Sequence, residues 1–187
     1  MNSILTTLHA IQKYIEIAIE KHDYKLFKSP PMNKQGIVKP ELVHPMVTTG
    51  CLPHANFSLY GAEREFFQAP YVLIGYEDGD LQSEEQSLRI LINVCCYSQG
   101  LYIDDESQSD YNLMIPDNKA FEDCTLFLEW LQQRLLEAGT INGATIEFPV
   151  RLGSYNSKEL TYPYAFGFLS FDLKANGYIS DRKKFKY

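Results

Sequence analysis

The chain has 187 residues, 45% hydrophobic and 22% charged, which bounds it to one ordinary domain with a real core and excludes wholesale disorder. Its formal net charge of −7 opposes nonspecific nucleic-acid binding, whose affinity comes from lysine and arginine displacing counterions. Cys51, Cys95, Cys96 and Cys124 show no CxxC or Cys/His ligand spacing, so they read as reduced, cytoplasmic thiols. The 13 Tyr and 11 Phe beside a single Trp fit either contact surfaces or a sheet-rich fold.

The first predicted element is a helix over Ser3–Lys21, because Ile4, Leu8, Ile11, Ile15, Ala18 and Ile19 recur on one face and Ser3 is a suitable N-cap. His9, Gln12, Lys13 and Glu16 interrupt it too often for a signal peptide or a membrane span. Its polar face mixes Glu with Lys, which disfavours a membrane-surface helix. From His22 to Ala69 the periodicity fails. Pro30, Pro31, Pro40, Pro45 and Pro53 break this segment. It reads either as short strands, with Leu42–Thr48 and Asn56–Tyr60 as candidates, or as an arm that orders against a neighbouring subunit. Lys21, Lys25, Lys28, Lys34 and Lys39 make it locally basic.

Pro70–Glu77 reads as a strand, the following EDGDLQSEE as an acidic turn, and Ser87–Tyr97 as the best strand of the chain. In that strand Leu88, Ile90, Ile92, Val94 and Cys96 form an apolar face, while Arg89, Leu91, Asn93, Cys95 and Tyr97 form a mixed one. The spacing between the two strands suits a hairpin. Ser98–Asn118 reads as an acidic link.

The clearest helix follows, over 116–139, with Phe121, Cys124, Leu128, Leu131 and Leu135 in one stripe. Asp117 or Asn118 is placed to cap its start and Gly139 to end it. Burying each large stripe residue is worth roughly 1.5–3 kcal/mol, against about 1–2 kcal/mol of backbone entropy per ordered residue, so this helix must dock on a sheet. Asn142-Gly143 marks a turn into a strand over Ala144–Phe148, and Arg151–Leu160 reads as polar and turn-like. Thr161–Lys174 gives the last strand. Tyr162, Tyr164, Phe166 and Phe168 lie on one side, and Ala165, Gly167, Leu169, Phe171 and Leu173 on the other. Pro163 places its start at an edge or a bulge, and Gly167 permits close approach of another backbone. The chain closes on a basic aromatic tail with Arg182, Lys183, Lys184 and Lys186.

An enzyme needs a nucleophile with its base, a phosphate cradle or a metal set. The sequence has no GxSxG, GxxxxGK[ST], HExxH or glycine-rich dinucleotide loop. The histidines His9, His22, His44 and His54 lack ligand spacing. Two carboxylate clusters, Glu77, Asp78, Asp80, Glu84 and Glu85 and then Asp104, Asp105, Glu106 and Asp110, depart from the calcium-loop pattern. They read as solvated turns, as metal ligands of a small hydrolase, or as the lining of a channel through which DNA slides without sticking.

Leu126–Gly143 (LFLEWLQQRLLEAGTING), Ile146–Pro149 (IEFP) and Tyr162–Gly167 (YPYAFG), with the preceding PYVLIGYEDG and RILINVCCYS, resemble the tail terminator and tail-completion proteins of long-tailed bacteriophages and prophages. The resemblance covers Pro70 to Leu173, about half the chain. It implies an α+β fold, a mostly antiparallel sheet packed by two main helices, as a single domain over residues 1–187. The Pro-rich segment 22–69 and the tail 175–187 would be extensions to it.

What it further implies is a structural virion protein without enzymatic activity, cofactor or metal. Such a protein forms a ring, a hexamer by resemblance, ends tail-tube growth and provides the head-tail joining surface. The implied partners are further copies of itself, the tail tube protein and the head-tail connector, with DNA only passing through and no membrane. The implied location is the virion tail, after assembly in the host cytoplasm. Tyr162, Tyr164, Phe166, Phe168 and Phe171 are the expected subunit interface. Glu77, Asp78, Asp80, Glu84 and Glu85 are the expected channel-facing loop, and Arg182, Lys183, Lys184 and Lys186 the expected partner contact. A connector or stopper, another minor tail protein, and a small metal-dependent enzyme are the competing readings.

Overall fold

The computed structural model describes residues 4–29, 41–50, 69–81, 85–98, 100–103, 113–115, 117–155 and 162–176. Helix α1 (Ile4–Lys21) buries Thr7, Leu8, Ile11, Ile15, Ala18 and Ile19, which is the predicted stripe with Thr7 added and with Ile4 only half-buried at its start. It ends in a Schellman turn. The Tyr24 N–H donates to Ile19 O at 3.0 Å and the Asp23 N–H to Glu20 O at 3.1 Å, with Asp23 in the left-handed region at φ 49°. The expected cap, Ser3, lies outside the described residues.

Strands β1 (Leu26–Phe27) and β2 (Leu42–Val43) form a small antiparallel pair. Then come β3 (Met46–Thr49), β4 (Tyr71–Leu81) and β5 (Glu85–Tyr97). The predicted acidic turn is a correction: Glu77, Asp78 and Asp80 belong to β4 and Glu85 to β5, with Asp80 opposite Ser87 and Leu81 opposite Gln86. The hairpin is longer than its apolar core because its outer end needs ladder bonds rather than alternating burial. The candidate strand Asn56–Tyr60 lies outside the described residues.

The link expected over Ser98–Asn118 carries a further antiparallel pair, β6 (Leu101–Ile103) with β7 (Leu113–Ile115). Helix α2 (Lys119–Ala138) is followed by β8 (Thr140–Ile141), β9 (Ala144–Ser154) and β10 (Tyr164–Asn176). Asn118 is the N-cap residue and makes no side-chain cap bond, so the side-chain contact at this end comes from Asp117, one residue ahead of it. The Asp117 Oδ1 accepts from the Lys119 N–H at 3.2 Å and from the Ser98 hydroxyl at 2.8 Å. Gly139 ends the helix at φ 62°, its N–H donating to Leu135 O at 3.2 Å.

The stripe of α2 also needs correction. Phe121 is 49% exposed, and Ala120 and Phe127 are buried with Cys124, Leu128, Leu131 and Leu135. Rotating the buried arc toward Ala120 and Phe127 turns Phe127 onto Tyr24 and Trp130, with ring centroids 4.8 and 5.7 Å away.

The main sheet has the order β3-β4-β5-β10-β9-β8, antiparallel except for the β3–β4 pair. Both helices lie against one face. Helix α2 packs on β5, β10 and β9, whereas α1 packs on β3, β4 and β8. One helix touches both outermost strands, so the sheet curls around the helices and α1 closes the opening. Their shared core includes Val72, Ile74, Ile90, Ile92, Cys96, Phe127, Leu169, Phe171 and Leu173. The α+β architecture, a mostly antiparallel sheet backed by two helices, is therefore as expected.

One further sequence reading shifts. Arg151–Ser154, expected as a turn, continues β9 beyond Pro149. The ladder accommodates the proline by an irregularity that leaves Phe148, Pro149 and Val150 across from Phe171 without regular partners. Pro163 lies just before β10, whose first residues, Tyr164 and Ala165, have a ladder partner in β5 alone, so the edge start holds locally while the strand becomes central from Gly167 on; the Pro163 carbonyl accepts from the Ser98 N–H at 3.0 Å.

Candidate interaction site on the outer face of the sheet

Because side chains alternate along a strand, sealing one face of β5 and β10 under the helices sends every second residue outward. On β10, Ala165, Gly167, Leu169, Phe171 and Leu173 are buried against the helices, while Tyr164 is exposed and Phe166 and Phe168 are half-buried. The predicted division of this strand is thus observed. It also removes Phe171 from the expected interface. Phe171 shares the parity of Leu169 and is 2% exposed within the core, so a neighbouring subunit cannot reach it. Tyr162 is half-buried in the turn ahead of the strand.

The outer face is an aromatic platform. Tyr97 and Tyr164 lie with ring centroids 5.4 Å apart, Tyr164 and Phe166 6.5 Å, and Tyr155 and Phe168 5.2 Å. The Tyr155 hydroxyl donates to Asn93 Oδ1 at 2.6 Å, which fixes a ring that is 42% exposed. Gly153 makes room for Phe168: a Cβ there would stand 2.7 Å from the Phe168 ring. At one side of the platform Ala69, Cys95 and Tyr97 are buried, with Phe27, Tyr71 and Phe166 packed on them. Cys95 and its neighbour Cys96 point to opposite faces, the first into this cluster and the second into the main core.

Further along the same face the chemistry changes to charge. Arg89 donates to both oxygens of Asp172, opposite it in register, at 2.9 and 3.5 Å. Asp78 Oδ2 stands 3.9 Å from Arg89, and Lys174 pairs with Glu147 at 2.8 Å. Glu77 and Asp78, expected to line a channel, are exposed beside this charged ladder. Glu84 lies outside the described residues, as do Arg182, Lys183, Lys184 and Lys186, and the side chains of Asp80 and Glu85 are not among those described.

The titratable groups displaced from their ordinary pKa are all pushed further into the state they hold at neutral pH. Burial raises Tyr71 and lifts the Cys95 thiol to about 12. Burial also raises Tyr155, and the hydrogen bond to Asp172 raises Arg89. Among the described residues no cluster of His, Cys, Asp and Glu is grouped to hold a metal ion, and no helix is long and apolar enough to cross a membrane. What the face offers is area: rigid rings with two χ angles and little entropy left to lose.

Tyr155 and Gly153 lie in a stretch whose polar, turn-like composition conceals a strand in the sequence. The continuing alternation of Val150, Leu152 and Ser154 was the available signal, obscured by Pro149. No protein-family model matches the chain, and no curated protein matches it.

Proposed function

We propose that this protein is a noncatalytic virion assembly protein, a ring-forming tail terminator that ends growth of a tail tube and presents the surface joining it to the head. The observation that carries the reading is the platform of Tyr155, Tyr164, Phe166 and Phe168, on a sheet whose other face is sealed by its own helices. A ring needs on every subunit a patch that fits a different patch next door. A stable contact buries about 800 Å² on each partner and draws on Tyr, Phe and Trp at its centre. The motifs of the chain from Leu126 to Gly167 supply the tail-terminator part of the reading, and the face supplies its assembly part.

The test measures mass in solution, alone and with purified tail tube protein. The expected result is a closed oligomer, formed alone or on the tube, that stops tube elongation in electron micrographs. Tyr164→Glu should abolish both while leaving the circular dichroism native. A chain that stays monomeric at high concentration with and without tube, and leaves tube growth unchanged, refutes the reading.

A further inference from the structure

Strand β3, and β9 beyond its short pairing with β8, each have one side without a strand partner among the described residues, and such open sheet edges invite strand addition by another chain. The ladder shows which groups face outward. On β3 the Met46 N–H bonds Pro70 O at 3.1 Å and the Gly50 N–H bonds Ile74 O at 2.9 Å. Met46, Thr48 and Gly50 therefore address β4, while Val47 turns its carbonyl away. On β9 the Tyr155 N–H bonds Phe166 O at 3.0 Å. By the same alternation Gly153 and Arg151 address β10 and Leu152 faces outward; Val150 lies at the irregularity, but its carbonyl points opposite to the Arg151 N–H of the same trans peptide and so also away from β10. The start of β9 is covered by β8, and the Ile146 N–H bonds Gly139 O at 2.9 Å.

The outward carbonyls of Val47 and Val150 are both occupied, each by a glutamine from a helix. Gln12 of α1 donates from Nε2 to Val47 O at 3.2 Å, and Gln132 of α2 donates from Nε2 to Val150 O at 2.7 Å. The first amide is itself held in place: its second hydrogen goes to Glu16 Oε1 at 2.9 Å, one turn along α1. Glutamine suits the task because a neutral, flexible amide reaches over the strand and satisfies a carbonyl without burying a charge.

We infer that Gln12 and Gln132 are edge guards: each occupies the carbonyl on which an incoming strand would register, and together they prevent this sheet from extending into a second copy edge to edge. The inference stands whether or not the protein forms a ring. It assigns a purpose to two polar side chains that no catalytic or ligand role explains.

The experiment compares wild type with Gln12→Met, Gln132→Met and the double variant, in which a side chain of equal length lacks the donor. Tyr14→Phe is the control, because it removes a comparable bond, Tyr14 hydroxyl to Arg134 O at 2.7 Å, away from both edges. Assembly is followed by light scattering, and its nature by the infrared signature of intermolecular β-structure. Each lost bond is worth about a factor of five to ten, so the double variant should form β-linked polymers at a protein concentration at least about tenfold below that of wild type. The control should behave as wild type. Equal thresholds for wild type and double variant overturn the inference, as does β-polymerisation of Tyr14→Phe to the same degree. Should the double variant fail to fold, Gln132→Met alone, which leaves α1 untouched, carries the same comparison at β9.

Discussion

Gly167→Ala is the sharpest test of how α2 sits on the sheet. Gly167 lies in the middle of β10 under the helix, and an added Cβ would fall on Leu128 Cδ1, 3.0 Å from Gly153 O and 3.4 Å from Cys124 Sγ. The leucine methyl is the tip of a side chain but has nowhere to go, since Leu128 is 2% exposed and Cys124 3%. The Gly153 oxygen is backbone, tied into the β9–β10 ladder. Forcing a methyl into such a site costs about 1–3 kcal/mol. Against this, alanine restricts the unfolded chain and gains about 0.4–1 kcal/mol. The balance is centred on a loss of about 1.3 kcal/mol, within limits of about 0 and 2.6 kcal/mol, or a fall in Tm of roughly 3–5 °C at the centre for a domain of this size. Urea unfolding of Gly167→Ala, Leu128→Ala and the double variant reads it directly. Leu128→Ala opens the space the new methyl needs, so the double variant should be more stable than the sum of the singles by about 0.5 kcal/mol or more. If Gly167→Ala is stabilising, Leu128 and Cys124 of α2 do not approach β10 closely enough to exclude a methyl.

Two further outcomes follow from burial. Phe127, 0% exposed, and Phe121, 49% exposed, sit on the same helix, so Phe127→Ala should cost about 3–5 kcal/mol and Phe121→Ala under about 1 kcal/mol in chemical denaturation; similar losses at both positions would place the buried stripe elsewhere. Burial lifts Cys95 from 9.0 to about 12 and Tyr24 from 10.0 to about 12, and hydrogen bonding to Cys124 followed by burial raises Cys96. Between the ordinary and raised values the unfolded chain has lost protons that the native chain keeps. Stability must therefore fall as pH rises from about 9 toward 12, and Cys95→Ala should flatten the decline; a Tm unchanged between about pH 9 and 11 contradicts it.

Where one period held without interruption, the sequence was legible. Ile11, Ile15 and Ile19 placed α1, Gly139 ended α2 with the left-handed residue expected, and the alternation from Tyr164 to Leu173 separated the two faces of β10. Phe171 entered the expected interface because aromatic character was weighed above parity, and parity decides which face a strand residue occupies. Phe121 and Phe127 both stand three residues from Cys124, and Phe127 also four from Leu131, so spacing alone does not separate them; the contact of Phe127 with Tyr24 and Trp130 does. Pro149 concealed the second half of β9, since a proline ends a regular ladder but not one with an irregularity at that residue. Met46–Thr49 pairs in parallel with Tyr71–Ile74, more than twenty residues on, a long-range choice that no local pattern encodes. The guards Gln12 and Gln132 look like ordinary polar positions until the strand edges beside them are known.

The curl of the sheet bears on how a neighbour could dock. Wrapped around α2 and closed by α1, the sheet turns a convex face outward, and a convex surface meets its partner along a strip. The strip of greatest length runs along the central pair, β5 and β10, each 13 residues, or about 44 Å. Its first half carries Tyr164, Phe166 and Phe168, and its second half the pairs Arg89–Asp172 and Lys174–Glu147. Those charges already satisfy one another within the chain, so a docking subunit gains little from them and pays no desolvation while they stay at a wet rim. The rings lose nothing by being covered. In the proposed ring, substitutions on the aromatic half should therefore speed dissociation, whereas Arg89→Ala should change the mass distribution little. A ring dissolved by Arg89→Ala yet tolerant of Phe168→Ser would place the contact on the opposite half of the strip.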